Sequence, residues 1–320
     1  MQKNMCQIGV DIGGTAIKSV LVSSGQVLAC KSIPTDIEAG PDKIIKDIAG
    51  LIKELKELSE GRVITGVGIG CPGAINSKTG MVDHAYNLKW DFVPLAAKLR
   101  ELVGYPIRLS NDANAAAFGE ARYGAGKNYK NSVFVTIGTG IGSGIIIDGK
   151  LYEGNQSKGA EIGHIVIRSG GEPCTCGRRG CFEAYSSATS LIRDTVRAMK
   201  KNPDSKLWQV AKSVDQVNGK TVFDAVMLND KTAKSVFNHY IKMLGEGLVN
   251  IANSLRPEAI ILGGGVCAQG EVILKPLRKF VAKYSFGDGP MVDILTASLK
   301  NDAGAIGAAA LVEWEEQFPV

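Results

Sequence analysis

One pattern occurs twice in this chain and limits what the chain can fold into. Ile8–Val22 (IGVDIGGTAIKSVLV) and Val133–Ile147 (VFVTIGTGIGSGIII) align without a gap, and Val10, Ile12 and Gly13 recur as Val135, Ile137 and Gly138. Each copy is a β-branched run, a turn rich in Gly and Thr, and a second β-branched run, which predicts a hairpin. No Gly-Lys-Ser/Thr follows the turns, so neither is a P-loop. Strand rather than helix follows the glycines, so neither is a dinucleotide-binding fingerprint.

Glycine turns of this kind let backbone N–H groups come close to phosphate oxygens. In the first copy Gly13, Gly14 and Thr15 form the turn, Lys18 adds a positive charge, and Asp11 sits where a carboxylate could hold Mg²⁺ through water. In the second, Thr139 and Gly140 offer the matching hydroxyl and amide. Two ordinary hairpins are the alternative, but a matched pair, each opening its own stretch of α/β pattern, favours phosphate binding.

The intervening chain reads as α/β. Ile44, Ile45, Ile48, Leu51, Ile52, Leu55 and Leu58 recur at helical spacing with Lys and Glu between them. Residues 63–70 predict a buried strand ending at Cys71-Pro72-Gly73. Residues 107–109 predict another, ending at Ser110-Asn111-Asp112, and the Ala-rich run 113–122 predicts a helix. Strands alternating with helices imply an α/β architecture. Further on, Ala259–Gly265 is a strand running into three glycines, a place where adenosine could lie flat on backbone at Gly264 and Gly265. Asp302 is expected to cap a terminal helix of small residues, 303–310, packing closely on another element.

With 320 residues, 45% hydrophobic and 22% charged, the chain can build two globular lobes. No apolar run is long enough to span a bilayer, so no membrane role is expected. The polar start at Met1–Cys6 does not resemble a secretory signal, and a cytoplasmic location is expected. The net charge of +5 is spread without blocks and decides nothing about nucleic acid. Of seven cysteines, Cys6, Cys30, Cys71 and Cys267 stand alone, whereas Cys174, Cys176 and Cys181 cluster; in a reducing compartment such a cluster suggests metal.

Asp11-Ile-Gly-Gly-Thr15, Ile137-Gly-Thr-Gly140 and Leu262-Gly-Gly-Gly265 resemble the two phosphate motifs and the adenosine motif of the actin, Hsp70 and sugar-kinase superfamily. Asn111-Asp-Ala-Asn-Ala-Ala116, Glu161-Ile-Gly-His164 and the run from Cys174 to Glu183 (CTCGRRGCFE) resemble the ROK family of repressors, open reading frames and kinases. The resemblance covers nearly the whole chain in the right order, and the last motif is the most specific.

The resemblance implies two ribonuclease-H-like lobes with an active site in the cleft between them. The expected N-terminal lobe is residues 1–118, completed by a C-terminal helix, 302–320; residues 119–301 form the other lobe, with the cysteine loop. The implied activity is ATP-dependent phosphorylation of a hexose at its 6-hydroxyl, with glucose leading over N-acetylmannosamine, N-acetylglucosamine, fructose and allose. Polyphosphate remains an alternative donor, although the triple glycine favours a nucleotide. The resemblance also implies a homodimer or homotetramer.

Asp112, at a strand end and helix start, is the expected base, taking the sugar proton as the hydroxyl attacks the γ-phosphate; a mere helix cap is the alternative. By resemblance Asn111, Glu161, His164 and Glu183 bind sugar hydroxyls, Gly73 offers backbone, and Asn87 is a further contact. His164, Cys174, Cys176 and Cys181 make a closed set for a structural Zn²⁺ that would fix the loop bearing Glu183. His84 and His239 read as a partly exposed loop residue and a structural helix residue. A sugar-responsive regulator would carry a helix-turn-helix before the first phosphate motif; Asp11 comes too early for one, so no nucleic-acid partner is expected.

Overall fold

The computed structural model describes residues 4–287 and 292–313; the end of the expected C-terminal segment, 314–320, lies outside them. In chain order the elements are β1 (Met5–Ile12), β2 (Ala16–Ser23), β3 (Gln26–Pro34), α1 (Pro41–Glu57), β4 (Val63–Cys71), β5 (Ala74–Asn76), β6 (Met81–Ala85), β7 (Trp90–Val93), α2 (Leu95–Val103), β8 (Ile107–Asn111), α3 (Asp112–Tyr123), β9 (Ser132–Ile137), β10 (Ile141–Ile147) and β11 (Lys150–Tyr152). There follow α4 (Glu183–Ser186), α5 (Ala188–Lys201), α6 (Leu207–Val210), α7 (Thr221–Met227), α8 (Lys231–Leu255), β12 (Ala259–Gly263), α9 (Glu271–Tyr284), β13 (Asp293–Thr296) and α10 (Ala303–Ala310).

Both repeated segments are strand–turn–strand, as expected, and each begins a five-stranded sheet. The orders are β3-β2-β1-β4-β8 and β11-β10-β9-β12-β13, the same arrangement of third, second, first, fourth and fifth strand. In the first sheet β1 runs antiparallel to β2 and parallel to β4, and β4 runs parallel to β8. That register sets Asp11 opposite Gly70, and Cys71 opposite Asn111.

The chain divides into two compact units. The first comprises 1–134, 144–160 and 297–320; the second comprises 135–143 and 161–296, so the division passes through β9 and β10. It falls later than the expected boundary at 118. The physical reason lies in α3: Gly119 and Gly307 let α3 and α10 touch backbone to backbone, so a Cβ on Gly307 would lie 1.8 Å from the Ala115 carbonyl. Glu120, fully buried, then accepts hydrogen bonds from the amides of Ala125, Ser298 and Leu299, which fastens residues past 118 to the first unit.

In the first unit, alternation along β1 sorts its side chains onto two faces. Cys6, Ile8, Val10 and Ile12 enter a core with Ile44, Ile48, Ile52 and Leu55 of α1 and Leu95 and Leu99 of α2. Gly9 faces the other way, and Gly68 on β4 does the same. A Cβ on either would meet the α10 backbone, 1.9 Å from the Ala305 carbonyl and 1.7 Å from the Ala308 carbonyl. The small-residue helix therefore seats on glycines. Its expected cap does not form: the Asp302 carboxylate binds the Lys18 ammonium instead, because β2 brings that cation to the same edge. A small sheet in the order β5-β6-β7 also belongs to this unit; it places His84 on a strand, 2.7 Å from Asp91, rather than in a loop.

In the second unit α8 carries the packing, and its glycines accept aromatic rings: Gly247 faces Phe182 and Gly245 faces Phe280.

Candidate active site

Three strands of the first unit end together. In parallel sheets the carboxyl ends of strands are where ligands gather, and here β1, β4 and β8 deliver Asp11, the Cys71–Gly73 turn and Asn111–Asp112. The β1–β2 turn is closed by the Gly13 amide on the Ala16 carbonyl (2.9 Å). Thr35 clamps it from β3, its hydroxyl donating to the Gly13 carbonyl (2.7 Å) and its amide to the Thr15 carbonyl (3.0 Å). Gly14 and Thr15 are left exposed. Asn87 is exposed on the 86–88 turn, and its carbonyl lies beside Gly14.

Asn111 is the side-chain cap of α3. Its Oδ1 accepts from the Ala113 and Asn114 amides (2.9 and 3.3 Å), and its Nδ2 donates to the Gly73 carbonyl (3.2 Å). Gly73 sits at φ 102°, a region that favours glycine, and a Cβ there would lie 2.2 Å from the His84 carbonyl. Asp112 follows as the first helical residue. Its Oδ1 accepts from the Ala113 amide (2.9 Å), and no cation pairs with it among the described residues. Burial raises the Asp112 carboxyl above the ordinary range, against the lowering effect of the backbone amides at the helix start and of the Asn111 side chain. Asp11 is pushed up to about 6 by burial first, then by repulsion from Asp112, with Lys18 opposing. Lys18 itself is engaged by Asp302, so a phosphate would have to compete for it.

One carboxylate in this region carried no sequence signal. Glu153, buried, accepts from the hydroxyls of Ser110 (2.5 Å) and Ser77 (2.6 Å), tying the residue before Asn111 to the β5–β6 turn. Thr35 was equally invisible, because hydroxyls that clamp a turn from a distant strand leave no local motif.

The second unit holds the other expected residues. The Gly138–Gly140 turn closes on itself through the Gly138 amide and the Gly140 carbonyl (3.0 Å), and Thr189 donates to the Thr139 carbonyl (2.8 Å). Gly264, at φ 89°, packs on the end of β9; a Cβ there would be 2.2 Å from the Ile137 carbonyl. The triple glycine and the Gly138–Gly140 turn are thus neighbours, and Gly265 faces open space. The turn carrying Glu161 and His164 is held by Ile162, whose amide donates to the Ser143 hydroxyl (3.2 Å), and by Gly163, which abuts the Ile141 carbonyl.

Glu183 joins two parts of this unit. Its Oε2 accepts from the Ile141 amide (2.9 Å) just after the second turn; its Oε1 accepts from the Thr175 hydroxyl (3.2 Å) and faces Cys174 Sγ at 3.7 Å. A side chain on Gly140 would collide with it at 2.2 Å.

The ligand atoms of His164, Cys174, Cys176 and Cys181 all lie within 4.8 Å of one another. Cys176 and Cys181 Sγ are 3.7 Å apart, and Cys174 Sγ is 3.6 Å from His164 Nδ1. With Zn–S near 2.3 Å and Zn–N near 2.05 Å, a tetrahedron has edges of about 3.8 Å for S–S and about 3.6 Å for S–N, so the donor set fits zinc. Without a cation, burial and the neighbouring thiols push Cys181 up to about 12, while hydrogen bonding from the Arg178 amide lowers Cys176. Nδ1 faces the cluster and Nε2 is left for another partner.

The sequence model described as ROK family matches residues 7–315. The chain belongs to the ROK family. Among ROK relatives, a glucokinase of Halalkalibacterium halodurans is 39% identical over 97% of this chain and 95% of that protein. A ROK glucokinase from Streptomyces griseus, solved with glucose and AMPPNP, superposes with a TM-score of 0.81 at 36% identity, covering 97% of this chain and 99% of that one. A xylose repressor of Bacillus spizizenii is 30% identical over 95% of this chain but only 76% of its own length. The neighbours carry the actin-like ATPase fold of ROK sugar kinases, which the paired sheets described above share.

Proposed function

We propose that this chain transfers the γ-phosphoryl group of ATP to the 6-hydroxyl of a hexose, with glucose as the preferred sugar. The observation that carries the reading is the Asp112 carboxylate, raised by burial, free of any cation among the described residues, and held beside an asparagine whose own side chain does the helix capping. Capping was the competing role for Asp112, and Asn111 performs it. A carboxylate so placed accepts a proton as an alcohol oxygen attacks phosphorus, and a raised pKa makes it a better base for an alcohol.

The remaining roles follow from the two halves. Gly14 and Thr15 in one unit, and Thr139, Gly140, Gly264 and Gly265 in the other, offer backbone and hydroxyl donors to the nucleotide. Asp11 would hold Mg²⁺ through water, and the cation would neutralise a charge that burial makes costly there. Asn111, Glu161, His164 and Glu183, with Gly73 and Asn87, would bind the sugar hydroxyls. Zinc on His164, Cys174, Cys176 and Cys181 would be structural, since four protein ligands leave no open position. The reading carries with it a cytosolic enzyme working as a homodimer or homotetramer. Support for the sugar and the nucleotide comes from the glucokinase relatives and the glucose–AMPPNP complex.

A coupled ADP-release assay over glucose, fructose, allose, N-acetylglucosamine and N-acetylmannosamine tests the reading. The highest kcat/KM is expected for glucose, with no turnover when polyphosphate replaces ATP. Better use of an N-acetylhexosamine would overturn the sugar assignment, and no turnover with any sugar would overturn the activity.

A further inference from the structure

Within the second unit, lined by none of the residues assigned above, lies a pocket of about 500 Å³. Arg168, Arg179, Tyr185 and His239 line it, with Glu172, Arg193 and Asp194 on its wall. Its charges are unevenly matched. Glu172 is bound by Arg197 (2.6 Å), which holds its carboxyl below the usual range, and Asp194 is bound by Arg193 (2.8 Å). Both carboxylates are thereby held by other arginines, and the Arg168 and Arg179 guanidinium groups form no direct ion pair among the described residues, Arg179 adding only a longer-range pull on Glu172. Three guanidinium groups, Arg168, Arg179 and Arg193, thus line the pocket beside two carboxylates, one of which is already held by Arg197 from outside it.

A second observation points to a ligand. Tyr185 is only 4% exposed, and its hydroxyl accepts from the Glu172 amide (2.6 Å). Its own O–H has no acceptor among the described residues, a costly state for a buried donor. Gly171 is required for this approach: a Cβ there would lie 1.8 Å from the Tyr185 oxygen. The unspent groups in the pocket are therefore donors: two guanidinium forks, a phenol and the exposed His239 imidazole. Such a set suits a ligand that only accepts and carries charge.

We propose that this pocket binds a phosphate group, either the free ion or a phosphate monoester, at a site separate from the phosphoryl-transfer residues. Arg168 and Arg179 supply the charge-assisted contacts and Tyr185 donates its hydroxyl proton to a phosphate oxygen. The pocket backs directly onto the segment carrying Glu183, since Tyr185 lies in the same short helix and Arg193 donates to the Ala184 carbonyl (2.9 Å). The site does not depend on the sugar proposed above, because none of its residues belongs to the catalytic set.

The test is calorimetric titration of the full-length protein, saturated with AMPPNP, Mg²⁺ and glucose, with inorganic phosphate and separately with glucose 6-phosphate. Saturable binding is expected, weakened about tenfold by Arg168→Ala or Arg179→Ala, the loss of one charge-assisted contact each, and unchanged by Lys201→Ala. Tighter binding of the ester assigns the pocket to sugar phosphates, and equal binding assigns it to the free ion; either outcome supports the site. Binding that survives the double variant Arg168→Ala/Arg179→Ala, or no binding at millimolar phosphate, overturns it. Repeating the titration without glucose or nucleotide separates this result from the kinase reading, which the ADP-release assay tests alone.

Discussion

Replacing Asp11 by Asn should stabilise the metal-free protein while removing its activity, and the size of the gain follows from the site. Asp11 is partly buried at the end of β1, with Asp112 beside it and the first turn of α10 so close that a Cβ on Gly304 would lie 2.5 Å from its carboxylate. Its pKa is about 6 when folded, against 3.8 ordinarily. A raised folded pKa means that folding favours the protonated carboxyl, so its contribution is fully present below pH 3.8 and is lost as pH rises through 6. The difference amounts to about 3 kcal/mol at pH 8, and about half of that is already lost at pH 5. A carboxamide in its place has no charge to bury. In urea titrations of EDTA-treated protein, the stability difference between Asp11→Asn and wild type should grow from about 0.5 kcal/mol at pH 4 to about 3 kcal/mol at pH 8. Equal stabilities at pH 5 and pH 8 would refute the reasoning, because they would mean that the carboxylate ionises without penalty.

Asp112→Asn should fold as wild type by circular dichroism and lose about 10²–10⁴-fold in kcat, the usual worth of a general base; near-normal turnover would remove the assignment. Metal analysis of purified protein should find about one zinc per chain, and Cys176→Ser should lose both the metal and sugar affinity; a metal-free, fully active protein would dismiss the cluster as a ligand set. Gly68→Ala should cost about 1–3 kcal/mol or more in thermal stability, since the new methyl would force α10 off the sheet. An unchanged melting temperature would contradict the packing of α10 on Gly9 and Gly68.

Much of the fold could be read from local signals, and the failures share a cause. The glycine turns, the α1 periodicity and the Asn111–Asp112 strand end are local features, and each appears where the spacing placed it. Asp302 had the right residue type in front of a helix, yet Lys18, distant in sequence, took its carboxylate. The division of the chain was set by Glu120, whose partners Ser298 and Leu299 follow it by nearly two hundred residues, so no local composition shift marks it. The three-stranded β5–β7 sheet was missed because its strands are too short to show alternation. In the site, residues inside a motif were found and those that brace a motif from elsewhere, Thr35, Thr189 and Glu153, were not.

Glu183 shows how far a shared part can restrict a lineage. Its two oxygens are already committed to the Ile141 amide and to Thr175 in the cysteine loop. Any replacement there would disturb the cysteine loop and the second glycine turn in one step. Such a position is frozen by its obligations, and a change of diet has to be written elsewhere. The β6–β7 turn and β7 carry no such double commitment: Tyr86 and Phe92 stand 90% and 67% exposed there, where a change would leave the core untouched.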